Sequence, residues 1–472
     1  MPLTPYRREL AELTRLAVPL AAVHAGNQLM GLVDTAIVGR LGAAELGAVG
    51  LAQAIFFVVA VLGMGTMMGL DPLIAQALGA GDRVRARRLL WQATWMSLFV
   101  GGALVLPMLA AIPLLEAAGI GPRTAELART YLLVRAPGLI PLLLFVGLRS
   151  YLQAVGRTRS LVAAVVAANL FNVGATLLLV FGGGALPAWA GPLRALPGYG
   201  VAGAAGATTL CTLLQLAIIA AALRRIPAPG FVPAMRRPSR PDLARAMRVG
   251  SPIGLQMTAE VGVFALVAFL AGRLGEGPLA AHQIALTLAG LSFTVSLGIG
   301  AAGSVRVGRA IGAGDAAGTR RAGLTAFAAG CGFMALSALV LFLFPERLAA
   351  VLTDRPEVIA AAGPLVVVAA FFQLSDGAQA IGAGVLRGAG DTRYPFVANL
   401  IGHYAVGLPI AFVLGVWGSL GVIGLWWGLC AGLTAVGFAL FLRFARLSRR
   451  PIRPLAPQAA SAGAPAPEGL AG

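Results

Sequence analysis

The sequence predicts an all-α integral membrane protein of twelve transmembrane helices arranged as two parallel six-helix repeats. Three observations predict it. Apolar residues make up 58% of the 472-residue chain and charged residues only 11%, against the roughly 25% charged that is usual in soluble domains. Apolar spans recur from residue 13 to residue 447, each near the length of about 20 helical residues that a bilayer requires. Several short motifs also recur at one constant spacing.

Clusters of Gly, Pro and Arg mark the breaks between spans. The first span, 13–39, follows MPLTPYRREL and is too long for a signal-peptide core, so it is a retained helix. The second, 44–70, follows a GRLG turn; the third, 89–116, follows LGAGD and the cluster Arg83, Arg85, Arg87 and Arg88. QAVGRTR separates the fourth span, 125–153, from the fifth, 158–182, and the sixth, 199–224, ends on Arg224 and Arg225. A basic, Pro-rich linker, RRIPAPGFVPAMRRPSRPD at 224–242, leads to the seventh, 246–272. The eighth, 278–303, lies between a second GRLG and IGAGD, which precedes the ninth, 318–344. RGAGDTR divides the tenth, 357–386, from the eleventh, 393–416, and the twelfth is 419–446. The Pro/Ala-rich tail after Leu447 is expected to be disordered.

GRLG at 39–42 returns at 272–275, LGAGD at 78–82 returns as IGAGD at 311–315, and Pro19 answers Pro252, all at an offset of 233. QAVGRTR at 153–159 answers RGAGDTR at 387–393 at an offset of 234. Two homologous halves follow: an N-lobe at 1–223, the linker at 224–242, a C-lobe at 243–447 and a tail at 448–472. Because six is even, both halves enter the membrane in one orientation. Transporters built from parallel repeats place their substrate site between the halves and rock one against the other.

The net charge of +18 resides wholly in arginine, since the chain contains no lysine. That excludes a Walker A lysine and any Schiff base. No aromatic-plus-basic nucleic-acid module appears; the arginines punctuate the apolar spans. Most fall at the termini and even-numbered loops, so the positive-inside rule places both termini in the cytoplasm. The GAGD turns lack the GK[ST] of a phosphate cradle and are read as helix caps. Cys211, Cys331 and Cys430 lie in apolar spans without metal spacing and are read as packed small hydrophobes.

Three acids lie well inside spans: Asp34, Glu260 and Asp376. A charge at mid-membrane costs about 2.5–3.5 kcal/mol on insertion scales. Each acid shares its helical face with polar residues, His24 and Asn27 with Asp34, Gln256 with Glu260, and Gln373 and Gln379 with Asp376. Such faces must look at protein or water. Under the repeat, Glu260 corresponds to Asn27, Asp34 to Val267, and Asp376 to Leu142 or Leu143. Since no acid has an acid as its mate, the acids differentiate the halves. A proton, Na⁺ or a cationic ligand could each relieve the cost, and occupants that exclude one another make exchange possible. Polar stripes, Asn169, Asn172 and Thr176; Thr208, Thr212 and Gln215; Gln283 and Thr287, suit the rest of a large cavity. Asn27, Asn172, Thr176, Gln256, Gln283 and Gln373 are its expected lining. Asp71, near basic loops, suits an ion pair, and His24, His282 and His403 suit hydrogen-bonded packing.

LMGLVDTAIVGRLGAAELGAVGLA (29–52), AAHQIALT (280–287) and FFQLSDGAQAIGAGVLRGAGDTRYP (371–395) resemble first-, eighth- and tenth-helix signatures of the multidrug and toxic compound extrusion (MATE) family. The resemblance runs from about residue 10 to residue 447. It implies a V-shaped antiporter that exports cationic or amphipathic compounds in exchange for Na⁺ or H⁺, without a cofactor and without enzymatic activity. Asp34 matches the family's first-helix acid. Glu260 and Asp376 match the C-lobe cation-site acids of the NorM-like branch, a Na⁺ site if that ion drives transport. Two departures stand out. Phe372 replaces a tyrosine found in some relatives, and Thr176 stands where the archaeal DinF-like pattern has a second acid. The expected location is the bacterial cytoplasmic (inner) membrane, multi-pass, with the chain working as a monomer. A lipid-linked oligosaccharide flippase of related fold is the alternative, but it should offer a basic cavity for pyrophosphate. A membrane-embedded transferase would need paired acids on one helix, and no DxxxD pair exists.

Overall fold

The computed structural model describes residues 5–117, 119–184, 188–227 and 230–455. Among these, twelve helices are long and apolar enough to cross a membrane. They are α1 (Pro5–Val38), α2 (Ala43–Gly79), α3 (Arg83–Leu115), α4 (Pro122–Ala154), α5 (Arg159–Phe181) and α6 (Gly200–Arg224) in the N-lobe. The C-lobe holds α7 (Arg240–Arg273), α8 (Glu276–Gly312), α9 (Ala316–Leu343), α10 (Pro356–Gly388), α11 (Arg393–Trp417) and α12 (Gly421–Leu447). Each expected span falls on one helix. Several helices run further than the apolar windows, above all α1 at its start and α8 at its end. Apolar windows mark only the part of a helix that lies in oil. The extensions carry charge, and they bond to one another: Arg306 of α8 holds Glu9 of α1 through two bonds of 2.8 Å. Leu106, Leu170, Phe269, Leu336 and Phe438 are exposed around the bundle, as befits a protein whose solvent there is lipid.

The repeated turns are built alike. Gly81 and Gly314 both take positive φ, 78° and 71°, which glycine adopts without a Cβ clash. The aspartate that follows caps the next helix: Asp82 accepts from the Arg85 backbone N–H at 2.8 Å, and Asp315 from that of Gly318 at 2.7 Å. One lost donor of the helix start is satisfied each time. Two further irregularities matter below. The α2 helix is interrupted at Met68 and Gly69, and α11 is π-helical over Ile401–Gly407 and Phe412–Trp417.

The lobes meet chiefly through α1 against α8 and α2 against α7. On α2, Gly65 lies against Gly254 and Gly69 against Ala246 and Gly250 of α7; a methyl at Gly250 would collide with the Thr66 carbonyl. On α8, Gly298 lies against Ala17 and Ala21 of α1. Under the offset of 233, the pair Gly65–Gly254 becomes Gly298–Ala21. The pair Gly79–Arg309 likewise becomes Gly312–Gln76, and both contacts exist. The repeats therefore join across a pseudo-twofold seam. Its members approach backbone to backbone, because small residues permit that distance where oil gives no other driving force. The seam reaches the arginine-rich ends of the helices. There Gln76 of α2 donates to the Gly388 carbonyl at 3.2 Å and accepts from the Leu455 backbone N–H at 2.8 Å. The chain beyond α12 thus turns back over the seam as far as residue 455; residues 456–472 of the expected tail lie outside the described residues.

Polar contacts also cross. The linker is fastened to α3 by Trp95, which donates to the Arg236 carbonyl at 2.7 Å, and by Gln92, bonded to Arg237 and Ser239. Arg88 of α3 pairs with Asp242 of α7 at 2.9 Å. A bulky residue in the seam should part it: Gly250→Val is expected to destabilise the protein by about 1–3 kcal/mol in thermal melts. In a background without native cysteines, the same change should speed thiol labelling of a cysteine placed at Ala75, which is buried in the seam.

Candidate functional site

Asp34 sits on α1 among donors from two other helices of its lobe. Asn172 donates to Oδ1 at 2.9 Å and Thr176 to the same oxygen at 3.2 Å, both from α5. Thr208 of α6 donates to Oδ2 at 2.9 Å. Asn172 and Thr176 fall one turn apart on α5 and so face the same side of that helix, and the packing of α1, α5 and α6 brings that side and Thr208 to Asp34. Asp34, Asn172 and Thr176 are all buried. Three donors on one carboxylate make a satisfied charged group, the condition for keeping one away from water.

The C-lobe pair is less well supplied. Gln379 of α10 donates to Glu260 Oε2 at 3.2 Å, and Asn399 of α11 donates to the same oxygen at 3.5 Å. His403 stands one turn beyond Asn399, with its Nδ1 3.1 Å from the Asn399 carbonyl oxygen, and Glu260 lies near enough to Asp376 to act on it electrostatically. Asp376 is buried. No side-chain or backbone donor bonds it among the described residues. The carbonyl oxygens of Gln379 and Asn399 are buried there without a partner. Two carboxylates and two spare amide oxygens form the oxygen-rich set that a hard cation takes, and a shared proton would relieve the same repulsion. No three His, Cys, Asp or Glu side chains gather to hold a metal ion among the described residues, so an ion here would depend on the amides. Asn399 escapes a reading based on acids because it is a lone amide in an apolar span. Its signal is the Asn–His pair one turn apart, set where α11 turns π-helical, a distortion frequent at functional sites.

Glu260 is half-buried and opens onto a cavity of about 340 Å³ between the lobes. The N-lobe contributes Gln28, Phe57, Val61 and Met68; the C-lobe contributes Gln256, Met257, Phe264, Phe293 and Arg387 among others. Apolar, aromatic and thioether walls with few polar groups accept many shapes. Arg387 closes one end, paired across the lobes with Asp71 at 3.7 Å, and Ser150 also donates to Asp71.

The remaining expected lining residues separate. Gln256 lines the cavity. Asn172 and Thr176 surround Asp34. Gln373 is buried and accepts from Ser292 at 2.7 Å. Asn27 and Gln283 are exposed, and Asn27 accepts from Gln215 at 3.3 Å. Phe372, where some relatives have tyrosine, packs edge-on between Phe264 and Trp426. Trp426 in turn donates to His282 Nδ1 at 3.1 Å, so that histidine is a packing partner.

The MatE family pattern matches the chain twice, over residues 19–178 and 252–413, again 233 residues apart. The probable multidrug resistance protein NorM of Rhizobium meliloti is 36% identical over 438 residues, covering 91% of each chain. The probable NorM of Deinococcus radiodurans is 34% identical, over 92% of this chain and 95% of that one. The multidrug resistance protein PmpM of Pseudomonas aeruginosa is 34% identical over 93% and 91%. In structure, the eukaryotic MATE transporter AtDTX14 superposes with a TM-score of 0.81 at 21% identity, over 94% of this chain and 99% of that one. An outward-facing multidrug resistance MATE family transporter superposes at 0.82 with 22% identity, over 95% and 99%. The chain is a multi-pass membrane protein with the MATE fold, and it belongs to the MatE family of transporters, on the NorM-like side of that family.

Proposed function

We propose that the chain is a secondary active multidrug efflux transporter that exports cationic or amphipathic small molecules in antiport with H⁺ or Na⁺. The observation that carries this reading is the position of Glu260, facing an adaptable cavity between the lobes on one side and Asp376 on the other. A cationic ligand in the cavity and an ion at the carboxylate pair would compete for the same charge. Alternating access then needs only that the two occupants favour different states. The lobes 1–223 and 243–447 would rock about the seam, joined by the linker 224–242. With the arginine-rich side in the cytoplasm, the sealed seam would make this the outward-facing state. Asp34, fully hydrogen-bonded in this arrangement, would take up its proton or ion when the N-lobe helices shift.

In reconstituted vesicles, an imposed H⁺ or Na⁺ gradient should drive accumulation of a fluorescent cation. Glu260→Gln and Asp376→Asn should each cut the gradient-driven part by about tenfold or more, the size expected when a charge-assisted contact of about 1.5–3 kcal/mol is lost. The double variant should be little worse than either single one, because half a site is no site. Losses that multiply would assign the two acids separate tasks. Dye binding that Na⁺ displaces at constant pH, with the effect lost in both single variants, would identify Na⁺; displacement by acid alone would identify H⁺.

Asp34→Asn should lower efflux while the protein stays abundant and inserted, its stability changed by no more than about 1–3 kcal/mol. Transport equal to the parent across the pH range would make Asp34 a packing group.

Cysteines at Gly81 and Ala313, in matching turns of the two repeats, should both react with an impermeant thiol reagent only from the cytoplasm. Labelling of one from outside intact cells and the other only after lysis would refute the parallel-repeat assignment.

A further inference from the structure

A second, larger cavity of about 1230 Å³ opens on the arginine-rich side, beyond the roughly 300–1,000 Å³ of most ligand pockets. It is bounded by the start of α1, the turn between α4 and α5, and the end of α8, so both lobes contribute. Arg15, Arg157, Arg159, Arg306 and Arg309 line it, with Glu12 as its one carboxylate. Glu12 is already held by Arg306 and Arg8. Arg309 donates to the Ala154 carbonyl. Among the described residues, Arg15, Arg157 and Arg159 have no carboxylate within ion-pairing reach. They are exposed and face one space.

The repeat supplies a control for what such a recess becomes. Arg309 corresponds to Gln76, Gly156 to Gly390 and Arg157 to Asp391. In the counterpart, Gln76 accepts from the Leu455 backbone, and the Leu455 side chain rests on Gly390. Asp391 is bonded by Arg443 at 2.7 Å. That recess is filled by the chain's own C-terminal segment, and its charge is answered. On the other side of the pseudo-twofold axis the equivalent space is open among the described residues, and Arg15, Arg157 and Arg159 are answered there by no carboxylate.

The geometry points to a binding site for a phosphate-bearing anion in the arginine-lined cavity, and to the headgroup of an anionic phospholipid as its source. The lining is graded as that ligand requires. Deeper along α1 it turns to Leu16, Val18 and Pro19, with Val155 beside them, suited to the first carbons of an acyl chain. Arginines present paired donors that match phosphate oxygens, and basic pockets between membrane helices on the cytoplasmic side take such headgroups. A ligand bridging Arg157 or Arg159 of the N-lobe and Arg309 of the C-lobe would tie the lobes together in this sealed state. This site shares no residue with the cavity at Glu260 and does not rest on the reading of transport.

Native mass spectrometry of the full chain in neutral detergent would test it, with short-chain phosphatidylglycerol, phosphatidylcholine of equal chain length, and inorganic phosphate as probes. Saturable binding of phosphatidylglycerol is expected. It should weaken about tenfold in the Arg157→Gln, Arg159→Gln double variant, as for the loss of charge-assisted bonds. Both residues are exposed, so the fold should survive. The control pair Arg449→Gln, Arg450→Gln removes equal charge elsewhere and should leave binding unchanged. Inorganic phosphate bound with the same sensitivity, with neither lipid bound saturably, would support the site and make its source soluble. Phosphatidylcholine bound as tightly as phosphatidylglycerol, or equal weakening in the control pair, would overturn the proposal.

Discussion

No charge in the hydrocarbon interior keeps without a partner, and the interior of this protein is arranged around four carboxylates that obey that constraint differently. Asp34 is answered by three donors from α5 and α6. Asp71 is answered by an arginine from the other lobe. Glu260 receives two long bonds on one oxygen, and its neighbour Asp376 receives none among the described residues. The scaffold has pseudo-twofold symmetry, and the charge arrangement does not share it. The N-lobe supplies the donors of Asp34 from within, and the C-lobe leaves Asp376 without a donor among the described residues.

The same division governs where rigidity is needed. The glycine and alanine contacts of α1, α2, α7 and α8 bring backbones together without side chains between them. Around Glu260 the walls are Met, Phe and Val, groups that repack at little cost. Asn399, bonded to Glu260, and His403 stand on either side of the point where α11 becomes π-helical, while Gly402 and Gly407 lie close to α12. Firm seam and yielding cavity are adjacent on the same helices.

Most of the fold was legible because hydropathy and repeated motifs are local signals. Twelve spans and an offset of 233 could be read directly, and Asp82 and Asp315 could be read as caps from their turns alone. The acids were legible for a different reason: a carboxylate in an apolar span stands out by its cost. What escaped were the neutral partners. Asn399 is inexpensive as a residue and informative only once α11 brings it to Glu260. Spacing placed Asn172, Thr176 and Gln373 on polar faces, but a polar face can look at a cavity or at another polar group. The partner helix decides which, and no periodicity in a single sequence names that helix. The helix ends were misjudged for a related reason, since a charge at the end of an apolar window looks like a stop until its mate, as with Glu9 and Arg306, is seen.

Gln76 joins three separate parts of the chain: its own α2, the end of α10 through Gly388, and the returning C-terminal segment through Leu455. Both bonds run to backbone groups, so they depend on no side chain of the partners. If the lobes part on this side, the two bonds break together and water enters at once to replace them. Each exchange is nearly balanced, with a net cost of about 0.5–1.5 kcal/mol. The amide therefore works like a snap fastener, holding a defined closed position yet yielding without a lasting penalty. Under the proposed alternating access, repeated opening is served better by such a fitting than by a stronger bond.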